Sequence, residues 1–194
     1  MLPIILASSS PYRQQLLEKL GIPFTAHAPN IDESALPGES PIRLVQRLAI
    51  QKAQAIQTIQ PSWVIGSDQV AVCKNHILTK SHGPERAFQQ LAHMSGQKVR
   101  FVTGLCLLNT SNNIYQVNVE IFTVYLRKLS KAFIQNYIRA ERPFDCAGSF
   151  KVEGRGMCMV QRFCGRDLNA LVGLPLIRLI DMFYNQGISL DQYW

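Results

Sequence analysis

The chain has 194 residues and a mass of 21.9 kDa, is 47% hydrophobic and 17% charged, and so has a globular composition sized for one domain or two small lobes sharing a core. Twenty Lys and Arg against thirteen Asp and Glu leave a formal charge of +7, which points to an anionic partner. The longest basic run is Arg127-Lys128, which excludes a disordered nucleic-acid-binding arm, although residues 127–178 hold ten Lys and Arg against four Asp and Glu.

Residues 3–7 are apolar and read as a short buried strand. They lack a positive flank and are too short for a secretory signal, and no other segment approaches a membrane-spanning length. Ser10-Pro11 then marks a helix start, Ser as cap and Pro at the first helical position, with Leu16, Leu17 and Leu20 on one face and Gly21 as stop. The same grammar opens a helix at Ser40-Pro41, carrying Leu44, Val45, Leu48 and Ala49, and another at Gly83-Pro84, carrying Ala87, Phe88 and Leu91 before Gly96. Between them lie two short strands, Ser62–Gly66 and Gln69–Cys73, the second leading through Lys74-Asn75 into a further one. Residues 99–108 and 114–126 are β-rich runs around Thr110-Ser-Asn-Asn113 and predict a long hairpin. A helix over 131–139, a Gly-punctuated stretch 147–156, a strand near 157–163 and a helix over 175–185 follow, and residues 188–194 read as a loosely held tail. This alternation with one long hairpin predicts a mixed α/β sheet.

The five cysteines, Cys73, Cys106, Cys146, Cys158 and Cys164, form no C-x-x-C pair and read as reduced, buried thiols of a cytoplasmic protein. The four histidines, His27, His76, His82 and His93, have no metal-ligand spacing.

Four segments carry polar residues that a core pattern does not need. Ala7-Ser-Ser-Ser-Pro-Tyr-Arg13 joins a strand to a helix N-terminus, where hydroxyls, a guanidinium and free backbone N–H groups suit a phosphate; plain capping by Ser10 explains it equally. Asn30-Ile-Asp-Glu-Ser34 is an acidic loop that alone reads as a solvated turn. In Val64-Ile-Gly-Ser-Asp-Gln-Val-Ala71, Asp68 interrupts an apolar run, and a carboxylate there is costly unless paired or bound to metal. Lys80 follows shortly after it. The last segment, Phe144 to Gly156, combines three glycines with Ser149, Lys151, Glu153 and Arg155, so its backbone can approach a ligand closely, without Walker or Rossmann spacing.

Together these stretches resemble the Maf family of nucleoside triphosphate pyrophosphatases. Leu6–Arg13, Asp32-Glu33, Gln51-Lys-Ala53, Ile65–Gln69, Lys80, Met94-Ser-Gly96, Thr103-Gly104, Cys146–Gly154 and Asn169–Pro175 match in order, from about residue 3 to residue 186. The resemblance implies an elongated, two-lobed α/β fold similar to inosine triphosphate pyrophosphatases, with a cleft between the lobes. It implies one catalytic domain over 1–187 followed by a tail at 188–194. It also implies hydrolysis of a nucleoside triphosphate to the monophosphate and pyrophosphate, with Mg or Mn as cofactor. Carried over by position, Asp68, Glu33, Lys52 and Lys80 are the catalytic set, Ser8 and Arg13 bind phosphates, and Glu33 and Asp68 hold the metal.

Tyr12 in place of an Arg, Gln69 after Asp68 and Glu153 in the Phe-Lys-x-Glu-Gly loop resemble the family branch acting on 7-methylguanosine triphosphate. An aromatic face stacks on the cationic methylated base, and a carboxylate accepts hydrogen bonds from N1–H and the exocyclic amine of guanine. Ser81 and Leu168 stand where the family often has Pro. The alternatives are the same chemistry on UTP or dTTP, or a basic nucleic-acid-binding or cell-division regulatory module. The expected partner is a small nucleotide rather than nucleic acid or membrane, and a homodimer is left open.

Overall fold

The computed structural model describes residues 1–194. Strand β1 (Ile4–Ala7), buried throughout, pairs in parallel with both β2 (Phe24–His27) and β3 (Trp63–Cys73). The seven-stranded sheet continues through β5 (Lys98–Asn109), β6 (Ile114–Leu126) and β7 (Val160–Cys164) in the order β2-β1-β3-β5-β6-β7, while β4 (His76–Leu78) pairs antiparallel with β3. Four residues join β5 to its neighbour β6, too short for a parallel crossover, so the two form the expected hairpin. The architecture is mixed α/β.

The helices are α1 (Pro11–Glu18), α2 (Pro41–Gln54), α3 (Pro84–Met94), α4 (Lys131–Glu141), α5 (Leu168–Val172) and α6 (Leu176–Tyr184). Ser10, Ser40 and Ser130 each accept a hydrogen bond from a backbone N–H three residues on, and Pro opens α1, α2 and α3.

The chain divides into two compact units. The first holds Met1–Asp68, Thr103–Glu120 and Gly173–Trp194; the second holds Gln69–Val102 and Ile121–Val172. In the first, Ile5, Ala7, Ala49, Ala53, Val64, Cys106 and Leu108 form a core cluster under α2. Helix α6 is anchored by an edge-on contact of Phe183 with Trp63, ring centroids 6.0 Å apart. In the second, Leu91, Phe101, Val124, Ile134, Tyr137, Phe150 and Met159 belong to one continuous core.

Several expectations need correction. The two short strands around Asp68 are one strand of 11 residues, because a salt bridge from Lys52 compensates the charge that interrupts the hydrophobic pattern. Strand β2 is not foreseen: it is a four-residue edge strand, Phe-Thr-Ala-His, too short and too exposed to show a buried face in the sequence. Strand β7 starts three residues later than expected, after a short 3-10 turn over Arg155–Met159. The tail is tied down: Leu190 is buried, the Tyr193 hydroxyl donates to the Leu2 carbonyl at 3.0 Å, and the Trp194 indole donates to the Leu20 carbonyl at 2.9 Å. Only Cys73 and Cys106 are buried thiols, burial pushing Cys106 up to about 12, whereas Cys158 and Cys164 are exposed.

Helix α2 lies on the sheet without spacing. A Cβ on Gly66 would overlap the Ala49 carbonyl oxygen, and a Cβ on Gly104 would overlap that of Val45. Both glycines serve helix–sheet contact. Gly104→Ala should therefore force α2 off β5 and lower stability by about 1–3 kcal/mol, measured by urea denaturation; an unchanged midpoint would show that the helix can shift freely.

Candidate active site

Leu44, Leu48 and Lys52 follow each other at four-residue steps on the buried stripe of α2, so a lysine occupies a core position. Lys52 is only 5% exposed and Asp68 only 6%. The Lys52 Nζ lies 2.7 Å from Asp68 Oδ1 and 2.8 Å from Glu33 Oε1. A buried ammonium is tolerated only when paired, and here it is gripped by two carboxylates.

The loop bearing Glu33 is shaped by its neighbours. Asp32 Oδ1 accepts the Ser34 N–H at 2.9 Å, closing the turn, and the Ser34 hydroxyl together with that N–H holds the Asp32 carboxyl below the usual carboxylate range. Arg47 of α2 donates to the Ser34 carbonyl at 2.9 Å and grips Glu39 through both carboxylate oxygens at 2.7 Å. The bond from Arg47 pulls Glu39 down to about 2. The acidic pair of the sequence thus separates into a turn former, Asp32, and an ion-pair partner, Glu33.

Arg13 projects from the first turn of α1. Its Nε donates to the Gly173 carbonyl at 2.8 Å and its Nη1 lies 3.5 Å from Ser8 Oγ. Burial lowers the affinity of the guanidinium for its proton, opposed by the fields of Asp68 and Glu33, and an arginine stays cationic. Gly173, at φ +120°, could not bear a side chain without strain, and a Cβ there would press on Arg13 Nε at 3.3 Å. The buried Ser67 hydroxyl lies 2.9 Å from both the Gly173 and the Gly104 carbonyls, so it pins the segment that receives Arg13. The sequence reading missed Ser67 and Gly173 as parts of the site; their signal is position within the Gly-Ser-Asp and Leu-Val-Gly-Leu-Pro stretches.

The backbone N–H groups expected to be free at Ala7–Arg13 are partly used within the segment: Pro11 has none, the Ser8 N–H turns to the Leu6 carbonyl at 2.9 Å, the Ser10 N–H to Ser8 Oγ at 3.1 Å, and the Arg13 N–H to Ser10 Oγ at 3.4 Å. The Ser8 hydroxyl and the Arg13 guanidinium remain the groups best placed to meet an anion here. Tyr12 is half-buried at the second position of α1. Ser8, Arg13, Glu33, Lys52 and Asp68 are thus brought together within the first unit.

The other expected residues belong to the second unit. Lys80, exposed, forms a β-bridge with Ala147. Gln69 does not present its amide to solvent: Nε2 donates to the Ala170 carbonyl at 2.6 Å and lies 3.3 Å from that of Leu171, tethering α5 to β3. Glu153 is exposed on the Gly-rich loop. That loop is clamped by Glu141, unnoticed in the sequence, whose Oε1 accepts from the Arg155 N–H at 3.0 Å and whose Oε2 lies 3.5 Å from Lys151 Nζ. A Cβ on Gly154 would strike that carboxylate at 2.7 Å.

The formal charges of Arg13, Lys52, Glu33 and Asp68 cancel, so these cations alone cannot neutralise a triphosphate. Two carboxylates suit a Mg²⁺ shared with substrate phosphates, which needs few protein ligands, rather than an ion caged by protein. No third His, Cys, Asp or Glu joins them. No helix is long and apolar enough to cross a membrane.

The family described as Maf-like protein matches residues 3–186. A protein of Pseudomonas syringae pv. tomato named 7-methyl-GTP pyrophosphatase is 52% identical over 187 residues, covering 96% of this chain and 97% of its own. Proteins of the same name from Pseudomonas aeruginosa, 52% identical over 96% of this chain and 98% of theirs, and Vibrio vulnificus, 50% identical over 96% of each, are similar too. The solved Ham1 protein of Staphylococcus aureus is 12% identical, with 96% of this chain and 100% of its own covered at a TM-score of 0.49.

Lys52→Met leaves a buried carboxylate without its cation and should cost about 3 kcal/mol in urea denaturation, with much of it restored in Lys52→Met/Asp68→Leu; an undiminished single variant would mean the pair contributes nothing. Glu39 adds a pH test. Its carboxyl lies at about 2 instead of 4.5, so its pairing stabilises fully above about pH 4.5 and fades as pH falls toward 2. The stability gap between wild type and Glu39→Gln should shrink across that window, and a constant gap would rule the pair out as its source.

Proposed function

Because the chain belongs to the Maf family, we infer that it is a nucleoside triphosphate pyrophosphatase converting 7-methyl-GTP to 7-methyl-GMP and pyrophosphate, which clears modified nucleotides in the cytoplasm. The observation that carries this reading is the buried Lys52 between Asp68 and Glu33, with Arg13 in their field. Names of relatives about half identical over nearly the whole chain support the substrate.

The reaction joins a water oxygen to the α-phosphorus and breaks the bond to the bridging oxygen, so pyrophosphate leaves. Asp68 takes the proton of the attacking water on the oxygen that Lys52 does not hold. Lys52 aims that carboxylate, the hydroxyl of Ser8 and the guanidinium of Arg13 bind phosphate oxygens, and Lys80 adds a cation for the phosphate charge. The cofactor would be a divalent cation, Mg or Mn, which Glu33 and Asp68 would hold and which would supply charge neutralisation and a more acidic water.

For the base, Tyr12 offers an aromatic face to the cationic 7-methylguanine ring, and Glu153 accepts from N1–H and the exocyclic amine. Gln69, with its amide committed to Ala170 and Leu171, acts on specificity through the placement of α5.

Pyrophosphate release from 7-methyl-GTP, GTP, UTP and dTTP with Mg²⁺ or Mn²⁺ tests this directly, with 7-methyl-GTP expected as the best substrate; preference for UTP or dTTP would move the chain to the pyrimidine alternative. Asp68→Asn should lower kcat at least a hundredfold with the fold retained by circular dichroism. Glu153→Gln should reduce kcat/KM for 7-methyl-GTP about tenfold more than for UTP, and equal losses would count against base reading.

A further inference from the structure

The second unit contains a chain of buried polar side chains that the reaction does not use directly. The Lys151 N–H donates to the Tyr137 hydroxyl at 2.9 Å, and that hydroxyl donates to the Ser149 carbonyl at 3.2 Å. The Ser149 hydroxyl donates to Gln90 Oε1 at 2.7 Å, and Gln90 Nε2 donates to the Thr79 carbonyl at 3.0 Å. Gly148 N–H reaches the same Thr79 carbonyl at 3.3 Å, and Lys80, the next residue, bridges Ala147. His82 N–H closes the segment onto the Phe144 carbonyl at 3.0 Å.

Tyr137, Gln90 and Ser149 are 3%, 5% and 0% exposed, so each bond lies where an unmade one is costly and where neighbouring dipoles reinforce one another. Burial pushes the Tyr137 phenol well up, so its O–H remains a donor. The loop needs such support. Gly148 and Ser149 take positive φ in succession, +63° and +55°, and the second is not a glycine. No part of the loop's own hydrophobic pattern would select that conformation.

We propose that Tyr137, Ser149 and Gln90 are positioning residues whose relay joins the Thr79–Lys80 segment to the Gly148–Glu153 loop as one rigid body. The relay keeps Lys80 and Glu153, the residues assigned above to phosphate charge and to the base, at a set spacing, which is where selection of the base is coupled to neutralisation of the phosphates. This last step rests on the pyrophosphatase reading given above; the mechanical coupling does not.

Tyr137→Phe keeps the ring and deletes only the hydroxyl. Amide hydrogen exchange should quicken in both residues 147–153 and residues 79–82. With 7-methyl-GTP, KM should rise about tenfold with a smaller change in kcat, and the preference over GTP should narrow. Gln90→Glu supplies a readout that mere loss of stability would not give. Protonated, the introduced carboxyl has the donor and acceptor of the amide; ionised, it cannot donate to Thr79. Exchange at 79–82 should therefore return toward wild type as pH falls, with no such return in Gln90→Leu.

Exchange confined to 147–153 would overturn the coupling. Exchange raised in both segments with an unchanged 7-methyl-GTP to GTP ratio would overturn the role in selection. If Tyr137→Phe does not fold, Ser149→Ala breaks the relay at its middle and is read the same way. A wild-type protein inactive on 7-methyl-GTP would defeat the functional reading alone, the exchange data deciding the coupling independently.

Discussion

One ammonium held between two carboxylates organises the first unit. Lys52 sits where a leucine would continue the buried stripe of α2, and Asp68 sits where an apolar residue would continue β3. Either charge alone at its place would be expensive; together they cost far less, provided that the helix and strand lie close enough for a 2.7 Å contact. Gly66 and Gly104 provide that closeness by removing the side chains that would hold α2 away from the sheet. The glycines are as much a part of the site as the ions, although they touch no reacting atom.

Several of the cations hold the fold together rather than wait for an anion. Arg47 closes the Glu33 loop through Glu39, Lys151 and Arg155 hold Glu141, and Arg162 stacks on Tyr125 at 4.0 Å. Arg178 reaches both Glu120 and Asp181. Within the set around Asp68, two cations and two anions balance. The excess of +7 therefore says little about where the anion binds. The basic-rich stretch 127–178 contains neither Arg13 nor Lys52.

Much of the fold could be read from local rules: Ser-Pro starts for α1 and α2, the Gly-Pro start of α3, and the hairpin turn between β5 and β6. The failures share a cause. Strand β2 and the tail owe their structure to partners distant in the chain, parallel pairing with β1 in one case and the carbonyls of Leu2 and Leu20 in the other. The break expected at Asp68 disappears because Lys52, sixteen residues earlier, compensates it. Glu141 lies beyond the helix expected over 131–139 and Tyr137 within it, and nothing in a helical repeat reveals that either side chain will meet a loop fourteen residues further on.

The residue types of the proposed site, Ser8, Arg13, Glu33, Lys52, Asp68 and Lys80, and their order along the chain are properties of the sequence, because motif spacing and side-chain chemistry need no folding to be recognised. Which of them are charge-compensated, which face one another and which only hold others in place was decided by tertiary structure. Gln69 illustrates the difference: the resemblance marks it as a specificity position next to Asp68, and folding commits its amide to the carbonyls of α5. A hydrogen bond depends on distance and angle in space, and both are set only when helix, strand and loop have packed.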